Sequence, residues 1–224
     1  MSFILIALAF SLAALDWLAV AIHFKPLEYF AKPAVMVLLI LWIWSEGGFK
    51  GALVWFALGI TFSLAGDVFL VLPKEQLIPG LIAFLMAHLL YIAGFNNSLP
   101  PLNLASLAVA LLIGFSAVKV YPRISAGLAE TGHEKIQKPV LAYTVVISLM
   151  LLTALLTLVR PDVEWQPLPA ILVSAGALCF YLSDTLLAWN RFVRTLAYGR
   201  LKVIVLYHLG QIGIVVGAVL HFLA

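Results

Sequence analysis

The sequence predicts an all-α integral membrane protein that crosses the bilayer eight times. Of its 224 residues, 64% are hydrophobic and only 10% are charged, and the mean hydropathy is +1.13. A soluble domain carries about 25% charged residues, and a chain of this length could not hide so much apolar surface in one core. The apolar runs are continuous, as in LASLAVALLIGFSAVKVY, whereas membrane barrels alternate apolar and polar residues. We therefore expect lipid around most of the exterior.

The chain divides into eight apolar segments that are long enough to cross a bilayer. A span needs roughly 20 apolar residues, since each helical residue rises about 1.5 Å. The second segment carries Pro33 in its first turn, where proline is tolerated because that N–H has no helical partner. The longest connection, roughly from Pro122 to Gln137, has space for a short amphipathic segment. We expect one transmembrane domain over residues 1–224, with spans at 3–22, 28–45, 51–72, 77–95, 102–121, 138–159, 168–190 and 202–223.

Three further features of the sequence narrow the class of protein: its cysteine content, its first apolar segment and its net charge. The single cysteine, Cys179, lies in an apolar run, so no disulfide can form within the chain. The first apolar segment has full span length and no basic residue before it, which is not typical of a cleaved signal peptide. The net charge of +3 needs no nucleic-acid partner to explain it.

The distribution of basic residues predicts the orientation of the bundle. Of the 13 Lys and Arg residues, only Lys50 and Arg160 fall in even-numbered loops, and the other 11 belong to the odd-numbered ones. Cytoplasmic loops carry an excess of Lys and Arg. We therefore expect the odd-numbered loops in the cytoplasm and both termini outside, as in a protein of a bacterial inner membrane.

The two halves of the chain share an ordered set of features. A Lys-Pro pair opens the second and sixth segments, an aspartate lies near the end of the third and seventh, and a histidine follows in the fourth and eighth. Because four helices are an even number, both copies would have the same orientation, which predicts a parallel repeat with halves 1–97 and 98–224. The first copy has Lys32, Asp67 and His88, and the second has Lys138, Asp184 and His208.

Three aspartates lie inside these spans, where a charged group costs at least about 2.5–3.5 kcal/mol and tends to face a functional cavity. Asp67 and Asp184 each lie about six residues from the cytoplasmic end of their helix, roughly 9 Å deep, and Asp16 lies at a similar depth. A single polar cavity open to the cytoplasm would satisfy all of them. Simpler alternatives are open: Asp16 could simply pair with Lys32 or another base, and the other two aspartates could simply join helices through hydrogen bonds.

Two carboxyl groups in one low-dielectric site favour a particular chemistry. They cannot both ionise easily, so the pair supplies a general acid and an anion together. Glycosidases use this combination to pass through an oxocarbenium ion. A vinyl ether has the same need, because protonation at carbon gives an oxocarbenium ion, water adds, and the hemiacetal collapses to an aldehyde and an alcohol. The histidines would orient water or carry protons, unless they are only core residues.

Six stretches of the chain have a distinctive order and spacing: KPAVMVLLI, SLAGDVFLVL, FLMAHLLYI, KPVLAYTVVISLM, LSDTLLAWNRF and VLYHLGQIGI. On these stretches, from Lys32 to Gln211, the chain resembles the YhhN-like lysoplasmalogenase family of membrane proteins. The resemblance implies an eight-helix ether hydrolase that cleaves the vinyl ether bond of a lysoplasmalogen, releasing a fatty aldehyde and a glycerophospho-headgroup. We expect a lysophospholipid as the partner, and no cofactor, no metal and no nucleic acid.

The same resemblance implies the residues of the site. It makes Asp67 and Asp184 the acid–base pair, and we expect Asp184 to donate the proton and Asp67 to stabilise the cation. The lipid phosphate would meet a base at the cytoplasmic rim, which could be Lys32, Lys138 or Arg191. The implied pocket residues are Lys32, His88, Tyr143, Asn190, Tyr207 and Gln211, to which position in the spans adds Asp16 and His208.

Other classes of function share some of these features. A zinc-dependent hydrolase could use His88 and His208 with the aspartates, although the sequence has no H-x-x-x-H or H-E-x-x-H pair. A proton-coupled transporter of lipids or small molecules also has repeats and intramembrane acids, although these spans are not conspicuously broken by proline or glycine pairs. A lipid-binding protein without catalysis is the third alternative.

Overall fold

The computed structural model of the protein describes residues 3–47, 49–72, 74, 76–96, 103–160 and 165–223. Within these ranges the chain forms eight long α-helices, one short 3₁₀ helix over Glu134–Ile136, and no strand. The helices are α1 (Phe3–Ala21), α2 (Lys25–Ser45), α3 (Leu53–Val71), α4 (Leu77–Phe95), α5 (Leu104–Glu130), α6 (Gln137–Leu156), α7 (Pro167–Phe192) and α8 (Gly199–Phe222).

All eight helices are long and apolar enough to cross a membrane, which confirms the predicted fold class. Large apolar side chains stay exposed along them: Phe3 is 67% exposed, Leu104 is 84% exposed and Leu112 is 70% exposed. In water such a surface would drive aggregation, whereas in a bilayer the lipid tails solvate it and the helices satisfy their own backbone groups. The chain is therefore an integral membrane protein.

The start of α2 differs from the prediction. The helix begins at Lys25, and Pro26 occupies the first helical turn, where a missing N–H costs nothing. Pro33 consequently lies inside the helix and not in its first turn, so α2 lacks one backbone hydrogen bond there. The earlier start brings Glu28 and Lys32, which are four residues apart, onto one face of α2.

The end of α5 also differs from the prediction. The helix does not stop before Pro122 but continues to Glu130, so most of the connection expected at 122–137 is helical. Ile124 and Leu128 are buried in this added part and pack with Phe192 at the end of α7. Burial of these side chains stabilises the extension by more than the hydrogen bond that the proline removes, which is a tertiary effect that local sequence does not report.

Helices α7 and α8 approach each other closely because glycines line their interface. A Cβ atom added at Gly176 would lie 2.6 Å from the backbone nitrogen of Ile214, and one added at Gly213 would lie 2.9 Å from the Cα of Gly176. Small residues let helix backbones come together in this way in membranes. Helix α8 also contacts α1, α2 and α3, so it joins the helices that carry all three intramembrane aspartates.

The polar residues of the bundle gather near one end, which we call the basic end. It is the end where α1, α3, α5 and α7 finish and where α2, α4, α6 and α8 begin. The aspartates lie within about two turns of it: Asp67 is four residues before the end of α3, Asp16 is five before the end of α1, and Asp184 is eight before the end of α7. The boundary expected between two half-repeats, at 97–98, lies outside the described residues, and the repeat stays a prediction.

Candidate active site

Asp67 on α3 is the centre of one buried polar cluster. Its side chain has no exposure to solvent, and the Nζ atom of Lys32 lies 3.0 Å from Oδ1. The hydroxyl of Tyr207 on α8 donates a hydrogen bond of 2.7 Å to Oδ2. The Lys32 ammonium also lies over the Tyr207 ring, 5.2 Å from its centroid. The two charges of this cluster compensate each other, and the aspartate is fixed by groups from two other helices.

Asp184 on α7 is the centre of a second cluster. The Tyr143 hydroxyl on α6 donates a hydrogen bond to Oδ2, and His88 Nε2 on α4 lies 2.9 Å from that hydroxyl and 3.6 Å from Oδ2. A tyrosine has one hydroxyl proton. Because Tyr143 gives it to Asp184, Nε2 of His88 is the donor to Tyr143. His88, Tyr143 and Asp184 thus form a chain through which a proton can pass.

Asp184 and Tyr143 line an apolar cavity of about 100 Å³ between α4, α5, α6 and α7. The Asp184 side chain is 15% exposed, whereas that of Asp67 is fully buried. Arg191 lies on the same wall, two helical turns beyond Asp184 toward the basic end. The other lining side chains are mostly aliphatic or aromatic, among them Leu77, Ile78, Phe84, Ile124, Val140 and Ile147.

A second cavity, which we call the polar cavity, opens among α1, α2, α3, α7 and α8. Its volume is about 370 Å³. Asn190 lines it and also accepts a hydrogen bond of 2.8 Å from the backbone N–H of Leu196, so it holds the turn between α7 and α8. The charged residues of its wall are Asp16, Lys25, Glu28, Lys32 and Arg200.

Aromatic rings separate the two aspartate clusters. The Phe180 ring centroid lies 4.7 Å from that of His88 and 5.4 Å from that of Tyr207, and Phe84 lies edge-on to both Phe180 and Tyr207. The sequence predicts one cavity for all the polar groups, but the structure has two neighbouring cavities. The apolar residues between the clusters make the difference.

Leu70 and Leu187 line both cavities and mark the place where they adjoin. Each leucine lies three residues after an aspartate, one turn nearer the basic end: Leu70 follows Asp67, and Leu187 follows Asp184. A molecule with an apolar part and a charged part could therefore occupy both cavities, with its junction one turn from the two carboxyl groups.

Four of the expected pocket residues line neither cavity: His88, Tyr207, His208 and Gln211. The first two contact the aspartate clusters, whereas His208 and Gln211 lie in the core away from both aspartates. His208 Nδ1 accepts a hydrogen bond of 3.1 Å from the indole N–H of Trp17. Gln211 Oε1 accepts one of 2.7 Å from the Tyr91 hydroxyl. Both side chains are fully buried. His88 and His208 thus contact different partners, and no group of three His, Cys, Asp or Glu side chains suited to a metal gathers in the part of the chain that the structure describes.

Asp16 lines the polar cavity but does not pair with Lys32, which binds Asp67 instead. Sequence reasoning did not identify Glu28 and Arg200, an acid and a base on the wall of this cavity. The four-residue spacing of Glu28 and Lys32 puts both on one face of α2 and could have indicated Glu28. Sequence reasoning also missed Phe84 and Phe180, because the chain has 14 phenylalanines and nothing in their pattern distinguishes these two.

Several known proteins are similar to this chain in sequence. The sequence model of the YhhN family matches residues 27–218. The chain is 30% identical over 183 residues to the lysoplasmalogenase TMEM86B of Rattus norvegicus, covering 81% of this chain and 67% of that protein. It is 30% identical over 165 residues to the lysoplasmalogenase TMEM86A of Homo sapiens, covering 72% of this chain and 63% of that protein.

A bacterial relative matches as well. The chain is 29% identical over 147 residues to a lysoplasmalogenase of Mycobacterium tuberculosis, covering 62% of this chain and 50% of that protein. The chain therefore spans between half and about two thirds of the length of these relatives. No solved structure matches it. The family match reaches from the first turn of α2 into α8 and includes both aspartate clusters, so the chain belongs to the YhhN family.

Proposed function

We propose that this protein is a membrane-embedded ether hydrolase that cleaves the vinyl ether bond of a lysoplasmalogen. The products would be a fatty aldehyde and a glycerophospho-headgroup. Its relatives in the YhhN family are named lysoplasmalogenases. The observation that carries the proposal is the position of Asp184, an acid on the wall of an apolar cavity that adjoins a charged one.

The two cavities together suit a single-chain lipid. The first carbons of the hydrocarbon chain would lie in the apolar cavity, whose aliphatic and aromatic lining is as apolar as the surrounding lipid. The headgroup would lie in the polar cavity, where Lys32, Asn190 and Asp16 line the wall. The vinyl ether joins these two parts of the lipid, so it would lie near Leu70 and Leu187, within reach of Asp184.

In the proposed mechanism, Asp184 supplies the proton. Tyr143 donates its hydrogen bond to Oδ2, so Oδ1 is the oxygen that would carry the transferable proton. Transfer to the second carbon of the alkenyl chain leaves an oxocarbenium ion at the first carbon and a carboxylate on Asp184. That carboxylate stabilises the cation and then takes a proton from the attacking water. The hemiacetal collapses to the aldehyde, and its ether oxygen leaves as the glycerol hydroxyl.

His88 would support this cycle through Tyr143. Its Nε2–H donates to the Tyr143 hydroxyl, which strengthens the hydrogen bond that Tyr143 gives to Asp184. Such a chain stabilises the carboxylate that forms when Asp184 loses its proton. It also fixes the position of the carboxyl group relative to the cavity.

Asp67, the second aspartate of the predicted pair, would position other groups and not donate the proton. Its complete burial and its ion pair with Lys32 favour a positioning role, in which it holds Lys32 and Tyr207 in place. Lys32 in turn lines the polar cavity, so it connects the buried aspartate with the headgroup. His208 and Gln211 would support the same region of α8 from the core.

The orientation belongs to the same proposal. The excess of basic residues at the basic end favours a cytoplasmic location for it, with both termini outside. The polar cavity would then open toward the cytoplasmic half of a bacterial inner membrane, from which a lysophospholipid can enter sideways.

Aldehyde release by the purified full-length protein tests the proposal. The substrate is a lysoplasmalogen of defined chain, and its matched control is the lysolipid with a saturated ether in place of the vinyl ether. We expect aldehyde from the first and none from the second. Absence of aldehyde from the vinyl ether, in protein that is monodisperse and folded, would contradict the proposed function.

A further inference from the structure

The charges of the polar cavity are unevenly matched. Glu28 Oε2 accepts from two bases, Lys25 Nζ at 2.9 Å and Arg200 Nη2 at 2.6 Å. Two cations thus share one carboxylate, which leaves this part of the wall with an excess positive charge. The side chains of Lys25 and Arg200 are 50% and 48% exposed, so they lie at the mouth of the cavity. A half-exposed pair of bases of this kind suits a phosphate group.

Asp16, in contrast, is an acid without a basic partner within the described ranges. It is 1% exposed, it lines the polar cavity, and neither of its carboxyl oxygens has a hydrogen-bond partner among the residues that the structure describes. Lys32, which lines the same cavity, is already paired with Asp67. A buried carboxyl group without a partner is costly, so its presence requires an explanation.

Asp16 lies farther from the basic end than the bases at the mouth of the cavity. On α1 it is five residues from the helix end, whereas Lys25 is the first residue of α2. Among its described residues, the cavity therefore has an unpartnered carboxyl group inside and an excess positive charge at its mouth.

We propose that the polar cavity recognises a zwitterionic headgroup, with Asp16 binding its ammonium group and Lys25 and Arg200 binding its phosphate. The inference rests on the proposed function, since it takes the lipid of the apolar cavity as the substrate. In a phosphoethanolamine headgroup, the two charged groups are joined by two carbons. A headgroup of this length fits a cavity of about 370 Å³. Its ammonium group would give Asp16 a partner, and its phosphate would bind Lys25 and Arg200.

Two lysoplasmalogens with the same chain test the assignment. One has a phosphoethanolamine headgroup, and in the other the amine is N-acetylated, which removes its positive charge. We expect the wild-type protein to hydrolyse the free amine with kcat/KM at least about tenfold higher, the size of one charge-assisted hydrogen bond. Equal values for the two lipids would overturn the proposal without any variant.

The variant Asp16→Asn then identifies the residue. We expect it to lose the preference by a fall in kcat/KM for the free amine, with the N-acetylated lipid hydrolysed as before. The matched control is Glu134→Gln, which removes an exposed acid at the same end of the bundle and should keep the wild-type preference. A preference that survives in Asp16→Asn would overturn the assignment. If that variant does not fold, the wild-type comparison decides.

Binding of lipids that cannot be hydrolysed separates this inference from the proposed function. The probes are saturated-ether lysolipids with the same two headgroups, and the readout is the rise in thermal unfolding temperature of the wild-type protein and of Asp16→Asn. Selective binding that depends on Asp16, without hydrolysis of any vinyl ether, would support the headgroup site while the proposed function fails. Hydrolysis of the vinyl ether with no headgroup selectivity in either assay would support the proposed function and contradict the headgroup site.

Discussion

Asp67 and Asp184 have the same residue type, but their surroundings give them different tasks. Asp67 is fully buried and paired with Lys32, so its charge is compensated within the protein. Asp184 has partial exposure, and its partners are a tyrosine and a histidine, Tyr143 and His88. A proton donor must reach its substrate, and only the second environment allows that. The chemistry therefore depends on neighbours contributed by other helices.

Loss of the acid at Asp184 should remove most of the activity. General acid catalysis contributes about 10²–10⁴-fold, so we expect kcat/KM for aldehyde release to fall by that factor in Asp184→Asn. Tyr143→Phe removes one hydrogen bond to the carboxyl group and should cost about tenfold. Both are measured on monodisperse protein with an unchanged unfolding temperature. Near wild-type activity in Asp184→Asn would exclude it as the donor.

The ion pair of Lys32 and Asp67 should show strong coupling in stability. Removal of one partner of a buried pair leaves an uncompensated charge and costs about 3–5 kcal/mol. We expect this loss in Lys32→Met, measured as the free energy of unfolding by SDS titration in mixed micelles. The double variant Lys32→Met/Asp67→Asn should recover part of it, because no buried charge is left. Effects that simply add would show that the two groups are independent.

At the scale of helices, tertiary contacts decided the boundaries that local sequence did not. The eight spans are predicted well because span length is a local property of apolar runs. Pro122 is a strong local signal for a helix end, yet Ile124 and Leu128 pack with Phe192 and extend α5 beyond it. Pro33 similarly lies inside α2, since Pro26 takes the first turn. A proline restricts the backbone without showing which turn of the helix contains it.

Close packing of α7 on α8 gives a prediction with an internal control. Gly176→Ala places a methyl group against backbone atoms of α8, which cannot move aside as a side chain would. We expect it to lower the free energy of unfolding by about 1–3 kcal/mol. Gly114→Ala on α5 meets open space and should be neutral or stabilising by up to about 1 kcal/mol. Equal effects at the two positions would contradict the described interface.

At the scale of the whole molecule, the sequence predicted the membrane bundle, the family and the aspartates, but not how the site is divided. Charged residues in apolar spans stand out, so Asp67 and Asp184 are readily found. The wall between their clusters consists of Phe84 and Phe180, which look like any other core residues in the sequence. The ion pairs of Lys32 with Asp67 and of Arg200 with Glu28 were equally hidden, because pairing depends on helix rotation and not on depth along the helix.

The proposed orientation can be tested with single cysteines. In a Cys179→Ser background, Lys50→Cys follows α2 and Arg194→Cys follows α7, and both original side chains are exposed. With a membrane-impermeant thiol reagent on intact cells stripped of their outer membrane, we expect labelling at position 50. Position 194 should react only after permeabilisation. The opposite pattern would place the basic end outside.

The most direct test of the account is hydrolysis of a lysoplasmalogen in D₂O, with the aldehyde reduced to an alcohol as it forms. Asp184 would transfer an exchanged proton to the second carbon of the alkenyl chain, and each product molecule would then carry one deuterium there. The measurement is mass spectrometry of the trapped alcohol. One deuterium at that carbon is the predicted result, with release greatly slowed in Asp184→Asn. Product without deuterium there would contradict protonation at carbon.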